Sequence, residues 1–239
     1  MIEKDIFDEG LNKLSIMLDA KQKDQFHRFY ELLIEWNKVM NLTGITEYDE
    51  VIQKHFLDSL AMVQVYDPMK VNNLIDVGTG AGFPGIPLKI AYPHMKVVLL
   101  DSLNKRIKFL NEVIKELGLQ DIVAIHGRAE ELGHNQMYRE SFDCCVSRAV
   151  AKLSVLSEYC MPLVKEEGYF IPYKSGKIEE EMEQSKKAIS ILGGKIERTH
   201  RFLIPDTDME RSLICIQKVK ATSKKYPRTA GKPLKEPIE

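Results

Sequence analysis

The sequence predicts an α/β protein: a mostly parallel sheet with helices on both faces, preceded by a helical extension. Three observations carry that reading. From Asn72 to about Lys174, short apolar runs alternate with helical stretches, the pattern of parallel strands joined by crossover helices. One junction, Leu74 to Leu88, passes from an apolar strand through three glycines to a helix start. Before Asn72, apolar residues recur at helical spacing only. The chain therefore divides into an extension (1–71), a sheet domain (72–219) and a basic tail (220–239).

The elements follow in order. Asp24 to Met40 places Phe26, Phe29, Tyr30, Leu33, Trp36, Val39 and Met40 on one helical stripe, read as core rather than as a stacking platform for bases. Leu74–Val77 is the first strand. Gly78, Gly80 and Gly82 let the backbone turn where a side chain would obstruct it. Phe83-Pro84-Gly85-Ile86 opens a helix, because proline is tolerated in a first turn. Lys96–Asp101, Asp121–His126 and Ser141–Val146 are three further strands, and Lys105–Leu110 begins a helix between the first two of them. The strand over Ser141–Val146 ends at Ser147-Arg148-Ala149-Val150. Gly168–Tyr173 is a fifth strand, followed by a charged helix over Ile178–Leu192 and a break at Gly193-Gly194. Lys195–Ile204 and Arg211–Val219 complete the sheet.

Composition sets bounds. With 44% hydrophobic and 29% charged residues, the chain matches a soluble globular protein rather than a disordered one. Met1–Asp5 has no apolar signal core, and no apolar run nears the ~20 residues that cross a bilayer. The expectation is a cytoplasmic protein without membrane contact. Cys144, Cys145, Cys160 and Cys215 form no C-x-x-C pair, so neither a metal site nor a redox pair is expected. Adjacent Cys144 and Cys145 point to opposite faces of a strand and read as small buried hydrophobes. The net charge of −1 conceals an excess of +5 between Lys218 and Glu239. Seven bases, Tyr226 and three prolines there suggest an extended, poorly packed segment, either lying along RNA or serving only as a solubilising tail.

A strand, a glycine loop and a helix N-terminus suit an anionic, nucleotide-like ligand. The dinucleotide fingerprint G-x-G-x-x-G is not met, because Phe83 stands where its third glycine belongs. The pattern D-x-G-x-G-x-G, Asp76 to Gly82, instead resembles the first motif of class I (Rossmann-like) S-adenosylmethionine (SAM) methyltransferases. That resemblance implies SAM as cofactor, with Asp76, Gly78, Gly80, Gly82 and Phe83 around its amino-acid part. Asp101, about 20 residues on, stands where an acid binds ribose hydroxyls, although it also suits a helix cap, and both roles can hold at once. The resemblance places Ala129 and Glu130 beside the adenine, and the target base after the fourth strand.

A narrower resemblance rests on several motifs in order: Asn37-Lys38-Val39-Met40-Asn41-Leu42-Thr43, His55-Phe56-Leu57-Asp58-Ser59-Leu60, Asp76 through Leu88, Leu100-Asp101-Ser102, Ser147-Arg148-Ala149 and the tail Tyr226-Pro227-Arg228 to Gly231-Lys232-Pro233. Together they resemble the bacterial small-subunit rRNA methyltransferases of the RsmG (GidB) family. The resemblance implies SAM-dependent methylation of N7 of a guanosine in the 530 loop of 16S rRNA, with the rRNA or an assembling small subunit as partner. The alternative is a SAM-dependent methyltransferase acting on another RNA or a small molecule. Guanine N7 carries a lone pair and no proton, so positioning rather than a general base should carry catalysis. In agreement, the fourth strand ends in Ser147-Arg148-Ala149, not in the N-P-P-Y motif of amine methyltransferases or a Pro-Cys nucleophile. Arg148 is the expected reaction-centre residue, holding the SAM carboxylate, a phosphate or guanine O6. Lys174 and Lys177 read either as contacts to RNA phosphate or as solvated lysines, and Arg228 is expected to contact the RNA. His55 reads equally as a lid over the cofactor or a satisfied helix histidine.

Overall fold

A computed structural model describes residues 6–148, 151–205 and 207–238. The extension begins with α1 (Ile6–Lys13) and α2 (Ala20–Met40). α2 starts ahead of its aromatic stripe because Asp19 and Gln22 form a capping box, each side chain accepting the other's backbone N–H at 2.8 Å. Phe26, Phe29, Leu32 and Leu33 are buried, as a core stripe requires. Val39, expected among them, is 80% exposed, at the margin of the stripe in the last turn. A broken helix follows: α3 (Tyr48–Val51), a π-helical turn (Ile52–Leu57) and α4 (Asp58–Leu60).

The sheet domain comprises β1 (Asn73–Val77), α5 (Gly85–Ala91), β2 (Lys96–Asp101), α6 (Asn104–Glu116), β3 (Ile122–His126), α7 (Ala129–Leu132), β4 (Phe142–Arg148) and α8 (Leu153–Cys160). It continues with β5 (Val164–Ser175), α9 (Glu179–Ile191), β6 (Gly194–Leu203), β7 (Glu210–Lys218) and a final turn, α10 (Lys232–Lys235). The seven strands lie in the order β3-β2-β1-β4-β5-β7-β6. The first five run parallel, and β7 is antiparallel to both β5 and β6. Register aligns Val77 with Leu100, Asp101 with His126 and Arg148 with Tyr173. The carboxyl ends of β1 to β5 therefore open onto one edge, where α/β sheets bind ligands.

Alternation along the strands feeds two cores. Leu74, Cys144 and Val146 join the N-terminal helices, α5 and α6 on one face. Ile75, Val77 and Cys145 join α8, α9 and Tyr226 on the other. All four cysteines are buried and unpaired, and burial pushes the Cys144 and Cys145 thiols well up. The extension is fused to the domain: Gln22 Nε2 donates to the Ile90 and Ala91 carbonyls at 2.8 and 3.1 Å, and Gln25 Nε2 to Leu117 O at 2.8 Å. β5 begins at Val164, ahead of the expected Gly168, across an irregular stretch in which Glu167 has φ 67°.

The C-terminal segment corrects the expectation of an extended, poorly packed tail. Lys218 is fully buried, its Nζ donating to the Met161 and Val164 carbonyls at 2.6 and 3.0 Å and pairing with Glu140. Tyr226 is buried in the core beside α8. Arg139 ties the segment down through the carbonyls of Thr222, Ser223 and Tyr226. The physical reason is that two of the seven bases find carboxylates within the fold, buried Lys218 with half-buried Glu140 and Arg228 with buried Glu158, so their charge is turned inward. Ala149 and Val150, part of the motif after β4, lie outside the described residues. Among the described residues no helix is long and apolar enough to cross a membrane.

Candidate active site

The glycine loop after β1 is shaped from behind by Asp76. Its carboxylate is completely buried, and Oδ2 accepts the Thr79 hydroxyl at 2.7 Å and Gly85 N–H at 2.8 Å. Oδ1 has no partner. Burial raises the Asp76 pKa to about 6, against the lowering effect of those two hydrogen bonds. Gly78, Gly80 and Gly82 all have positive φ, 72°, 61° and 91°. Their roles differ. A Cβ on Gly82 would meet Ile86 Cδ1 at 2.4 Å, so that glycine permits packing. Around Gly80 a Cβ would meet nothing within 4 Å, because this glycine faces open space.

That space is a groove with two lobes along the sheet edge. One, about 400 Å³, is lined by Thr43, His55, Gly78, Gly80, Phe83, Asp101, Arg106 and Arg148, among others. The other, about 190 Å³, is lined by Val77, Leu100, Asp101, Ser102, Arg128, Ala129, Glu130 and Tyr159. Gly78, Asp101 and Ser102 border both. Asp101 is 2% exposed and does cap a turn, since Oδ1 accepts Leu103 N–H at 2.9 Å. Its Oδ2 accepts Gly80 N–H at 2.9 Å and Arg106 at 3.0 Å, which joins the glycine loop to α6.

A third cavity of about 320 Å³ shares His55 and Arg148 with the first and adds Lys54, Asp58, Tyr173, Lys174 and Arg211. Asp58 is buried and clamps two arginines, accepting from Arg148 Nη1 at 2.9 Å and Arg211 Nε at 3.2 Å. The Arg148 guanidinium lies 5.1 Å over the Phe83 ring. Phe83 also stacks on His55, with ring centroids 4.7 Å apart. His55 Nε2 lies 2.8 Å from Thr43 Oγ1, and Nδ1 lies 3.1 Å from the Lys54 carbonyl. Burial, then Arg148, lowers its pKa to about 3, so the ring is neutral. It sits in the π-helical turn, a distortion that often marks functional positions.

The structure thus brings Gly78, Gly80, Phe83, Asp101, Ala129, Glu130 and Arg148 together around one groove. Asp76 and Gly82 support the loop without lining either lobe. Lys174 lines the third cavity and is paired with Glu181 at 2.7 Å. Lys177 is exposed and lines none of the three cavities. Arg228, expected on the RNA, is engaged within the protein: Nε and Nη2 both grip Glu158, a carboxylate 1% exposed. Sequence reasoning gave no role to Asp58, Arg211, Arg106 or Tyr159. Only Asp58 carried a signal, an acid inside the apolar run Phe56-Leu57-Asp58-Ser59-Leu60.

The donor set fits SAM. Open backbone at Gly80, an acid at the junction of the lobes, an inner lobe that sets Val77, Leu100 and Ala129 beside Glu130, and Arg106 and Arg148 for a carboxylate meet the cofactor's parts. The sheet order with this groove defines a class I SAM-dependent methyltransferase. The fold is shared with the P. horikoshii TYW2 protein crystallised in complex with MeSAdo, at 13% identity and a TM-score of 0.53, covering 69% of this chain and 63% of that one. The model of a family described as GidB, rRNA small subunit methyltransferase G, matches residues 22–213, and the chain belongs to that family. A ribosomal RNA small subunit methyltransferase G of Lachnoclostridium phytofermentans is 59% identical over 100% of this chain and 98% of that protein. One of Alkaliphilus metalliredigens is 49% identical over the whole of both.

Proposed function

We propose that this enzyme methylates N7 of a guanosine in the 530 loop of 16S rRNA, in the cytoplasm, on the rRNA or on a small subunit being assembled. The observation that supports the reading is the junction at Arg148: a cofactor groove and a second, arginine-lined cavity share that residue and His55. SAM, when bound, supplies an electrophilic methyl group. Gly78 and Gly80 offer backbone to its amino-acid part, Asp101 faces its ribose, and Ala129, Glu130 and Tyr159 wall its adenine. Across Arg148, the guanidinium groups of Arg148 and Arg211 present donors that match guanine O6 and leave N7 free. Asp58 fixes both arginines, so the base meets a pre-set array. No proton has to leave N7, and His55 is too weakly basic near neutrality to take one. Lys174 and Lys177 lie toward the same edge for the RNA backbone.

The test is to map N7-methylguanosine in 16S rRNA from cells with and without this protein, and to repeat the reaction on naked rRNA and on immature subunits. Loss of one 530-loop modification on deletion, restored by the wild-type gene, supports the reading. An unchanged map contradicts it.

A further inference from the structure

We infer that the C-terminal segment is a strap that positions Glu130, and with it the inner wall of the cofactor groove, rather than an arm for RNA. The inference rests on the assignment of the inner lobe to the cofactor. That wall comes from α7, which supplies Ala129 and Glu130, and from α8, which supplies Tyr159. α7 is only four residues long, too short to hold its shape unaided. The segment grips it at both ends. At the start of α7, Glu130 Oε1 accepts the backbone N–H of Gly231 at 3.0 Å. At its end, Pro227 packs on Gly133 so closely that a Cβ there would lie 2.7 Å from the proline ring. The Pro227 carbonyl also lies 2.6 Å from His134 Nε2.

The strap is anchored on α8. Arg228 donates through its backbone N at 2.7 Å, Nε at 2.9 Å and Nη2 at 2.7 Å to the carboxylate of Glu158, the neighbour of Tyr159. A two-pronged ion pair of this kind, on a buried carboxylate, fixes geometry as well as contributing energy. It holds the chain so that Gly231, three residues on, reaches Glu130. Arg228 is thus a positioning residue that acts through Gly231 and Glu130, without lining the groove itself.

Full-length wild type, Arg228→Ala, Glu130→Ala and the double variant should be compared by calorimetric titration with SAM. Arg228→Ala and Glu130→Ala should each weaken SAM by about tenfold, the scale of one hydrogen bond to a charged group. The double variant should bind no worse than Glu130→Ala alone, because the two act in series. A tail that merely adds stability would give independent, multiplying losses or none. Arg228→Ala binding like wild type, or losses that multiply, overturns the strap. If Glu130→Ala binds like wild type while Gly80→Val loses SAM, the placement of the inner lobe is wrong, and the strap falls with it. Should Arg228→Ala fail to fold, hydrogen exchange on the wild type decides. SAM should slow amide exchange in residues 222–236, which line neither lobe of the groove, and unchanged exchange there contradicts the proposal.

Discussion

On one side of Arg148 the walls are largely backbone and carboxylate: Gly78, Gly80, the end of β2 and Asp101. On the other they are cationic side chains, Lys54, Lys174, Arg148 and Arg211, of which the two arginines are held by the buried Asp58. The cofactor half is local, since one strand–loop–helix unit and the next strand end supply most of it. The arginine-lined half is assembled from α4, β4, β5 and β7, residues far apart in the chain. A site for a small, invariant ligand can be built from main chain. A site for a base within a large RNA needs directed charge, and directed charge needs a buried counter-ion.

Substitutions can break each half separately. The largest effect is expected at Gly80. In Gly80→Val the new side chain enters the open groove at a φ that a β-branched residue tolerates poorly. SAM binding should become undetectable by titration while the far-UV spectrum stays native-like. Next comes Asp58→Ala, which leaves Arg148 and Arg211 without their buried partner. It should cost about 3–5 kcal/mol of stability in urea unfolding, the range for breaking a buried ion pair from one side, and should abolish methyl transfer. Asp58→Asn should recover part of both.

A smaller effect sharpens the comparison at the boundary between the lobes. Asp101→Ala should lose roughly 1.5–3 kcal/mol of SAM binding and about 1 kcal/mol of stability, because the carboxylate both faces the groove and caps Leu103. Loss of stability alone would make it a cap only. Smallest is the pH dependence from Asp76. Its folded pKa, about 6, lies above the ordinary value of 3.8, so the folded state holds the proton more tightly than the unfolded chain. This group therefore lowers stability as pH rises from about 3.8 to 6. The advantage of Asp76→Asn over wild type should grow across that window, read from urea midpoints at its two ends. A constant difference would contradict the upward shift that burial imposes on this carboxylate.

The same contrast explains what the sequence made legible. All seven strands and the glycine loop could be read, because apolar runs, glycine spacing and the acid ending β2 are local signals. The helix before the sheet was readable from its stripe, but not its start at Ala20, since the Asp19–Gln22 capping box lies outside the aromatic repeat. Arg211 gave no signal: its meaning depends on Asp58, 153 residues away. The tail misled for the same reason. Its bases read as free charge, and only tertiary structure brings Arg228 onto Glu158, 70 residues distant, and Lys218 onto Glu140. Composition reports charge but not whether a buried partner awaits it.

The most direct test of the two-sided site is Arg211→Ala, measured for SAM affinity by titration and for single-turnover methyl transfer to the 16S rRNA substrate. Arg211 lines the third cavity alone, touching neither lobe of the cofactor groove. The division predicts SAM affinity within about twofold of wild type, with methyl transfer slowed by about 5–150-fold, the loss of about 1–3 kcal/mol that a specific base contact carries. Loss of SAM affinity matching the loss of transfer would mean that the two cavities are one cofactor site, and would contradict the account.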